Sequence, residues 1–335
     1  MRRADRTVAV YYEHPDWFRP LFAELERRGV PHVRWHAAEH LFDPAGEARE
    51  EHEDLLVVNR MSPSAWKRGH GPAILYTRHL LAWLEAGDVP VVNGSTAFAF
   101  ETSKALQIGL IEGLRLRAPR ARVVNDAKAL ARAARELAFP VVVKPNIGGS
   151  GAGIVRFENE DELRAAVDED AIGTSLDGTL LLQEYHPPRD GSIVRIETLE
   201  GRYLYAIRIH LGEGAGFDLC PAHVCRTAGG ESLQSAACPA GAAQAGLTVE
   251  AAEPPREAVE AAERIARAAR LDVGGIEYLE SARDGHRYFY DVNALSNFVA
   301  DPVRVLGFDP MPRFVDALLA RAVSAATVRP RAAAV

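Results

Sequence analysis

Apolar runs of strand length alternate with amphipathic segments through the first part of the chain. The strand-like runs lie at residues 7–12, 32–35, 54–59 and 89–93, and helical spacing covers residues 16–28 and 73–86. Gly29 is a suitable stop for the first helix. Strands that alternate with helices indicate βα units and a parallel sheet. The pattern therefore predicts an N-terminal parallel α/β domain over residues 1–95.

The pattern changes after residue 95, where hairpins join the helices. Residues 192–198 and 202–209 are strand-like and flank a Glu200-Gly201 turn, which predicts an antiparallel pair. Residues 212–254 show little periodicity, which predicts a long and functional loop. The remaining expected elements are helices at 97–112, 126–138, 160–167, 255–270 and 312–324, and strands at 141–143, 180–183, 273–280 and 287–292. We expect a frayed tail at 328–335.

One strand delivers a lysine directly into a glycine-rich segment. Lys144 follows the apolar residues 141–143, and Gly148, Gly149, Ser150, Gly151 and Gly153 come soon after. Glycines let backbone N–H groups approach phosphate oxygens closely, and an ammonium neutralises their charge. The segment is therefore a candidate nucleotide polyphosphate site. A β-hairpin with a long glycine loop explains the same residues.

Three oxygen-bearing side chains end the last predicted strand pair. Glu277 lies on one strand, and Asp291 and Asn293 lie two residues apart on the next. Residues at i and i+2 of a strand point to one face. Two carboxylates and an amide oxygen suit Mg²⁺, which takes few protein ligands together with phosphate oxygens. Taken alone, the same alternation also fits the solvent face of a hairpin.

Composition and charge exclude several classes of protein. The 335-residue chain has a net charge of −7, so a general attraction to nucleic acid or anionic lipid is not expected. No apolar run approaches the ~20 residues of a membrane helix, and we expect no signal peptide. The chain has 3 cysteines, too few for a disulfide framework, which favours a cytoplasmic protein. The spacing of Cys220, His223, Cys225 and Cys238 favours free thiols over a zinc site.

The order of these motifs resembles the ATP-grasp superfamily, and within it the RimK-like carboxylate–amine ligases. The resemblance covers nearly the whole chain. It is carried by Val58-Asn-Arg-Met-Ser-Pro63, Val89-Pro-Val-Val-Asn-Gly-Ser95, Ser103-Lys104 with Gln107, Ala118-Pro119, the lysine and glycine segment, Gln183-Glu-Tyr185, Tyr205-Ala-Ile-Arg208, Gly275-Ile-Glu277 and Asp291-Val-Asn293. It implies an N-terminal α/β domain followed by a two-lobed ATP-grasp fold, with linker helices and the smaller lobe over 96–185 and the larger lobe over 186–327.

The resemblance also implies a role for each motif. Lys104 and Lys144 would contact the ATP phosphates under a mobile loop that contains Gly148, Gly149, Ser150 and Gly151. Gln183 and Tyr185 would offer backbone groups to the adenine edge, with Glu184 in the same hinge. Arg195 and Arg208 would be catalytic, stabilising the transferred phosphoryl group. Glu277, Asp291 and Asn293 would hold Mg²⁺, with Mn²⁺ as an alternative ion. Arg60, Cys220, Ser296 and Asn297 would face the substrates.

Two departures from the family pattern bear on these roles. Ile193 stands where RimK-type enzymes usually have Asp, and Asp190 or Ser192 would replace its contact; we assign Asp190 to the nucleotide site. Ala294-Leu-Ser-Asn297 replaces the usual Ser-Pro-Gly after the metal asparagine. That stretch commonly faces the substrate, so we expect a substrate other than that of the glutamate ligases.

The function implied is an ATP- and Mg²⁺-dependent ligase that forms an amide or peptide bond through an acyl phosphate. Its partners would be small-molecule or peptide acids and amines, and its relatives imply a homodimer or homotetramer. Two alternatives stay open: a small-molecule kinase on the same scaffold, and a nucleotide-binding module without catalysis.

Overall fold

A computed structural model describes residues 6–14, 16–212, 217, 226–229, 231, 233 and 247–327, with the side chains of 324–327 left out. The expectations for Cys220, His223, Cys225 and Cys238, and for the tail at 328–335, lie outside the described residues. Within the described ranges, no helix is long and apolar enough to cross a membrane.

The N-terminal region forms a parallel sheet, as the alternating pattern predicted. Its elements are β1 (Thr7–Tyr12), α1 (Arg19–Arg27), β2 (His32–His36), α2 (Ala48–His52), β3 (Leu55–Arg60), α3 (Gly71–Ala86) and β4 (Val91–Val92). The strand order is β2-β1-β3-β4, and every printed pairing is parallel. A 3₁₀ helix, Pro63–Arg68, starts just after β3, because the Ser62 side chain accepts a hydrogen bond from the Ser64 N–H.

The middle region builds a small antiparallel sheet. Its elements are α4 (Ser95–Glu101), α5 (Lys104–Gly113), β5 (Ala121–Val124), α6 (Leu130–Ala134), β6 (Val141–Pro145), β7 (Val155–Phe157), α7 (Glu160–Asp168) and β8 (Leu180–Glu184), and the strand order is β5-β8-β6-β7.

Two helix predictions in this region were wrong in extent. The helix expected over 97–112 is two helices, because Ser103 has extended backbone and caps α5 through a hydrogen bond from the Leu106 N–H. The helix expected over 126–138 is a 3₁₀ turn followed by the short α6, although Asp126 caps the turn as expected.

The C-terminal region contains the largest sheet. Its elements are β9 (Ser192–Leu199), β10 (Arg202–Leu211), β11 (Leu247–Ala251), α8 (Arg256–Ala268), β12 (Val273–Glu280), β13 (Arg287–Asn293), α9 (Pro302–Leu306) and α10 (Met311–Thr327), and the strand order is β11-β10-β9-β12-β13. The predicted hairpin of β9 and β10 is confirmed. The prediction of an unbroken loop over 212–254 was wrong, since β11 pairs with the outer edge of β10.

One face of this large sheet is sealed by helices. The alanine-rich stripe of α8, with Ile265 at its centre, is fully buried against β9, β10 and β12. The small side chains let the helix pack closely on the sheet. Helices α4 and α5 pack against β13, and α10 packs on α1, β1 and β3. Part of the opposite face is buried against the N-terminal region and α10, and the remaining part, which carries Arg195 and Glu277, lines a cavity shared with the small sheet.

Candidate active site

A cavity of about 430 Å³ lies between the small and large sheets, and the N-terminal region closes one side of it. The smaller lobe contributes Lys144, the glycine loop and residues 183–186, and the larger lobe contributes the ends of β9, β12 and β13. Ser62, Pro63 and Ser64 come from the N-terminal region. Motifs that are far apart in sequence therefore meet in one space.

Two lysines meet in this cavity, as the resemblance implied. Lys144 is the buried fourth residue of β6, and Lys104 is the first residue of α5. The Lys104 ammonium donates to Asp291 Oδ1. Burial, with a smaller effect from the nearby charge of Lys104, lowers the pKa of Lys144 to about 8, although Asp291 acts in the opposite direction. A polyphosphate would supply the negative charge that Lys144 lacks.

The predicted metal ligands share one face of the large sheet. Glu277 is paired with Asp291, and Gly275 is paired with Asn293, across β12 and β13. Burial raises the pKa of Glu277, and the charge of Asp291 adds to this, while Arg195 opposes it. Burial also acts to raise the pKa of Asp291, but Lys104, Lys144 and Arg195 together outweigh it, and the net direction is downward. The surroundings therefore favour the ionised form of Asp291, whereas Glu277 needs a further cation nearby to stabilise its ionised form.

This donor set fits a magnesium ion. Among the described residues no cluster of three or more His, Cys, Asp or Glu side chains is arranged to hold a metal. Two carboxylates and an amide would instead need phosphate oxygens to complete the coordination, which is the usual arrangement for Mg²⁺. The Asn293 amide nitrogen is buried without a hydrogen-bond partner in the described structure, so no hydrogen bond within the described residues fixes that side of the amide.

Arg195 is fixed between two carboxylates in the middle of the large sheet. Its Nε donates to Glu197 Oε1 at 2.6 Å, and its Nη1 donates to Glu277 Oε1 at 2.9 Å. The guanidinium lies so close to Gly275 that a Cβ built there would be 2.3 Å from Nη2. Arg195 is only 4% exposed, yet it lines the cavity. Its position suits stabilisation of a transferring phosphoryl group.

The glycine-rich segment is both a hairpin connection and a wall of the cavity. Strands β6 and β7 pair antiparallel on either side of it, so the hairpin interpretation is confirmed. Ser150, Gly151 and Gly153 have positive φ angles of 51°, 63° and 76°. Gly149 packs on Ser64, where a Cβ would lie 2.7–2.9 Å from three Ser64 atoms. The loop thus closes the cavity against the N-terminal region.

The hinge residues Gln183, Glu184 and Tyr185 line the cavity, and their backbone groups have partners within the protein. Gln183 lies in β8, the strand between β5 and β6, where its backbone belongs to the sheet. The Tyr185 N–H donates to Pro140 O at 2.9 Å, and its carbonyl accepts from Arg283 at 3.1 Å. These backbone groups are already hydrogen-bonded within the protein, and the adenine contact expected of them stays a prediction.

The structure does not bring Arg208 or Asp190 to the cavity, so both assignments are corrected. Arg208 pairs with Val194 across β10 and β9, whereas Arg195 pairs with Ile207, so the two arginines point to opposite faces. Arg208 donates to Asp190 Oδ2 at 2.9 Å, at the start of the hairpin. The register shift in β10 between Tyr203 and Tyr205 explains the position of Arg208. One extra residue in β10 moves each later side chain of that strand to the other face of the sheet.

The predicted substrate residues are placed unequally. Asn297 lines the cavity, and the Ser296 carbonyl accepts a hydrogen bond from Arg60 Nη2. Arg60 is 4% exposed and is not among the residues that line the cavity. Cys220 lies outside the described residues.

Four residues that line the cavity were either not identified from the sequence or not expected to bind a ligand. Glu101, at the end of α4, accepts hydrogen bonds from the N–H groups of Ala294 and Leu295, and burial raises its pKa to about 7. Tyr290 is the extra residue of a register shift opposite Glu277 and Tyr278, and burial raises its pKa far above its usual value. Trp17 lines the N-terminal side.

His186, dismissed as incidental, also lines the cavity, and its ring packs on Tyr288 at a centroid distance of 4.0 Å. The only sequence signal for Glu101 was a charge on the otherwise apolar face of a helix, and Tyr290 gave none.

Comparisons with known proteins bear on the fold that builds this site. The family model described as the D-ala D-ala ligase C-terminus matches residues 110–190. No curated protein sequence matches the chain.

Solved structures match over nearly the full length. The ATP-grasp ligase PsnB, complexed with a phosphomimetic variant of minimal precursor, Mg and ADP, is 19% identical with a TM-score of 0.64, covering 95% of this chain and 99% of PsnB. A RimK domain ATP-grasp protein from Sphaerobacter thermophilus is 18% identical with a TM-score of 0.62, over 93% and 99% of the two chains. The D-alanine–D-alanine ligase from Bacillus anthracis complexed with ATP is 14% identical with a TM-score of 0.64, over 96% and 98%.

Proposed function

We propose that this chain, which has the ATP-grasp fold, is an ATP- and Mg²⁺-dependent ligase that joins a carboxylic acid to an amine through an acyl phosphate. The observation that carries the proposal is the convergence of phosphate-binding and metal-binding side chains in one cavity. These are Lys104, Lys144, Arg195, Glu277, Asp291 and Asn293, beneath the glycine loop.

The nucleotide would lie between the two sheets. Lys104 and Lys144 would neutralise the phosphates, while Gln183, Glu184, Tyr185 and His186 would border the base. The structure of the similar PsnB contains Mg and ADP, which supports the same requirement here. Glu277, Asp291 and Asn293 would hold Mg²⁺, whose charge would neutralise the phosphate oxygens and favour transfer.

The residues of the cavity suit phosphoryl transfer to a carboxylate. An oxygen of the acid attacks the γ-phosphorus, the bond to the β-phosphate oxygen breaks, and ADP leaves. Arg195, held on two sides by Glu197 and Glu277, faces the charge that develops on the transferred group. An amine then attacks the activated carbonyl carbon and phosphate leaves, which completes the amide.

The closed loop explains how such an intermediate would survive. Acyl phosphates react readily with water, so the site must exclude it while the amine enters. Gly149 lies against Ser64, which joins the loop of the smaller lobe to the N-terminal region. This contact would seal the cavity on the side where the acid is activated. The loop order with and without nucleotide stays a prediction.

The test is an assay with ATP, Mg²⁺ and pools of acids and amines, followed by ADP, phosphate and product mass. Lys144→Ala and Asn293→Ala should each lose at least about 10²-fold in turnover, in line with the loss of charge stabilisation at a transfer site. Lys128→Ala, on an exposed 3₁₀ turn, is the matched control and should keep full activity. Unchanged turnover in Lys144→Ala and Asn293→Ala would reject the site.

The same assay separates the alternatives. A phosphoester product would identify a kinase, and nucleotide binding without turnover on any pool would identify a non-catalytic module. We also propose that the acid and the amine are small molecules or peptides. The proposal further includes a cytoplasmic setting, a homo-oligomer and domain bounds at 95, 185 and 327.

A further inference from the structure

The two lysines of the cavity come from different parts of the fold and repel each other. Lys144 belongs to β6 of the small sheet, whereas Lys104 begins α5, which packs against β13 of the large sheet. Burial and, to a smaller extent, the charge of Lys104 lower the pKa of Lys144. Asp291 attracts both lysines, and its Oδ1 accepts a hydrogen bond from Lys104. Because like charges disfavour close approach, we expect part of the backbone to hold these two residues together.

Asn146 makes this link with both its backbone and its side chain. Its carbonyl oxygen accepts a hydrogen bond from the Lys104 N–H at 3.2 Å. Its Oδ1 accepts from the Ala105 N–H at 3.0 Å and from the Ser103 hydroxyl at 3.2 Å. The first N–H groups of a helix have no partner within the helix. Asn146 therefore holds the start of α5 through two of these N–H groups, and one of the two belongs to Lys104.

The chain between Lys144 and Asn146 is short and rigid. Only Pro145 lies between them, and the proline ring fixes its φ at about −65°. Ile147, the next residue, is 1% exposed and packs in the hydrophobic core of the N-terminal region. Asn146 is thus fixed by the chain on both of its sides. Its hydrogen bonds to α5 therefore determine how far Lys104 lies from Lys144.

Asp177 determines which way the side-chain amide of Asn146 points. Asn146 Nδ2 donates to Asp177 Oδ2 at 2.7 Å. An ionised carboxylate only accepts and a backbone N–H only donates, so the amide oxygen of Asn146 must face α5. Asp177 is itself held in place, because its Oδ1 accepts from the Ser175 hydroxyl at 2.6 Å and from the Thr179 N–H at 3.1 Å. The orientation of Asn146 therefore depends on a turn whose residues, 175–179, are not among those that line the cavity.

We propose that Asn146 is a positioning residue that sets the separation of Lys104 and Lys144 for the phosphates of the nucleotide. The inference rests on the proposed function and adds a residue that acts through others, since Asn146 is not among the residues that line the cavity. Its side chain is buried and hydrogen-bonded at both ends, so it is in place before the nucleotide binds. Groups that are already ordered bind a ligand more tightly than groups that binding must order. Loss of the Asn146 side chain would keep both ammonium groups but release the start of α5.

The test measures binding of Mg-AMPPNP to the full chain by calorimetry, together with thermal melting of the same samples. Asn146→Ala should weaken the binding of Mg-AMPPNP at least tenfold, because Lys104 is no longer held near Lys144. Asn159→Ala is the matched control, since Asn159 is an exposed residue of the same lobe that caps α7 by accepting from the Glu162 N–H at 3.0 Å. Loss of this cap should lower the melting temperature but leave the affinity for Mg-AMPPNP unchanged.

A reciprocal exchange of the two side chains keeps the proposal testable if Asn146→Ala fails to fold. Asn146→Asp alone places two carboxylates against each other, and Asp177→Asn alone leaves either Asn146 Nδ2 or the Thr179 N–H without an acceptor. In Asn146→Asp/Asp177→Asn, an amide at position 177 donates to one oxygen at position 146, while the other oxygen still accepts from α5. We expect this double variant to bind Mg-AMPPNP at least fivefold more tightly than Asn146→Asp does.

Two results would overturn the positioning role. The first is an Asn146→Ala protein that melts at a lower temperature but binds Mg-AMPPNP as tightly as the wild type, which is what a purely structural role predicts. The second is a double variant that binds no more tightly than Asn146→Asp. Either result, with tight binding in the wild type, rejects the role of Asn146 and leaves the proposed function standing. A wild-type protein that binds no Mg-AMPPNP would instead reject the nucleotide site, and the ligase proposal with it.

Discussion

Gly275 is expected to be essential because Arg195 occupies the space that a side chain would fill. A Cβ at Gly275 would lie 2.3–2.5 Å from three guanidinium atoms of Arg195. Gly275 is in a central strand, paired with β9 on one side and β13 on the other, so the backbone has little freedom to withdraw. Gly275→Ala should therefore displace the guanidinium.

The magnitude follows from what Arg195 would lose. It donates two buried hydrogen bonds to carboxylates, at 2.6 and 2.9 Å. Hydrogen bonds to charged groups contribute about 1.5–3 kcal/mol each, so roughly 3–6 kcal/mol of interaction is affected. If only about 3 kcal/mol of this is lost from the transition state, the rate falls by about 10²-fold.

The assay compares phosphate release and melting temperature in a double-mutant cycle. Gly275→Ala should lose about 10²-fold in turnover, and it should have little further effect in an Arg195→Ala background, because the clashing atoms are then absent. Gly109→Ala is the matched control: it is an exposed glycine inside α5 with nothing within 4 Å of an added Cβ. That change should stabilise the protein by about 0.5–1 kcal/mol.

Two results would refute the reasoning. The first is Gly275→Ala turnover within about threefold of the wild type, since that is under 1 kcal/mol. The second is an equally large effect of Gly275→Ala in the presence and absence of Arg195, which would place the damage in the strand rather than in the arginine.

Three further predictions concern the cavity. The pKa of Lys144 is lowered from 10.5 to about 8, so between these pH values the unfolded state binds more protons than the folded state. The free energy of unfolding of the nucleotide-free protein should therefore increase as pH rises from 8 to 10.5. Lys144→Met should remove this pH dependence in melting experiments. Gly149→Ala should raise the ratio of phosphate released to amide formed, because the added Cβ would clash with Ser64. Gly148→Ala, where the nearest atom to an added Cβ lies at 3.3 Å, should change this ratio less. The same ratio in both variants would count against closure of the loop on Ser64. Asp291→Asn should raise the Mg²⁺ concentration for half-maximal turnover by at least tenfold, and an unchanged Mg²⁺ titration would remove Asp291 from the metal set.

Much of this protein is determined by local patterns in the sequence. Period-two alternation predicted the strands that carry Glu277, Asp291 and Asn293, and their common face follows from strand geometry alone. The apolar strand before Lys144 and the glycines after it were open to two interpretations, a hairpin or a phosphate site, and the pairing of β6 with β7 confirms the hairpin. Such features depend on neighbouring residues, and any structure that buries the apolar positions must respect them.

Register and long-range contacts were decided only by the tertiary structure. The register shift between Tyr203 and Tyr205 places Arg208 on the face of the sheet opposite to Arg195. No pattern of residues in the sequence predicts a bulge at this position. The contacts of Gly149 with Ser64 and of Glu101 with the N–H of Leu295 join segments far apart in sequence. Packing energy summed over three regions of the chain selects these contacts, so no local window of the sequence contains the information that determines them.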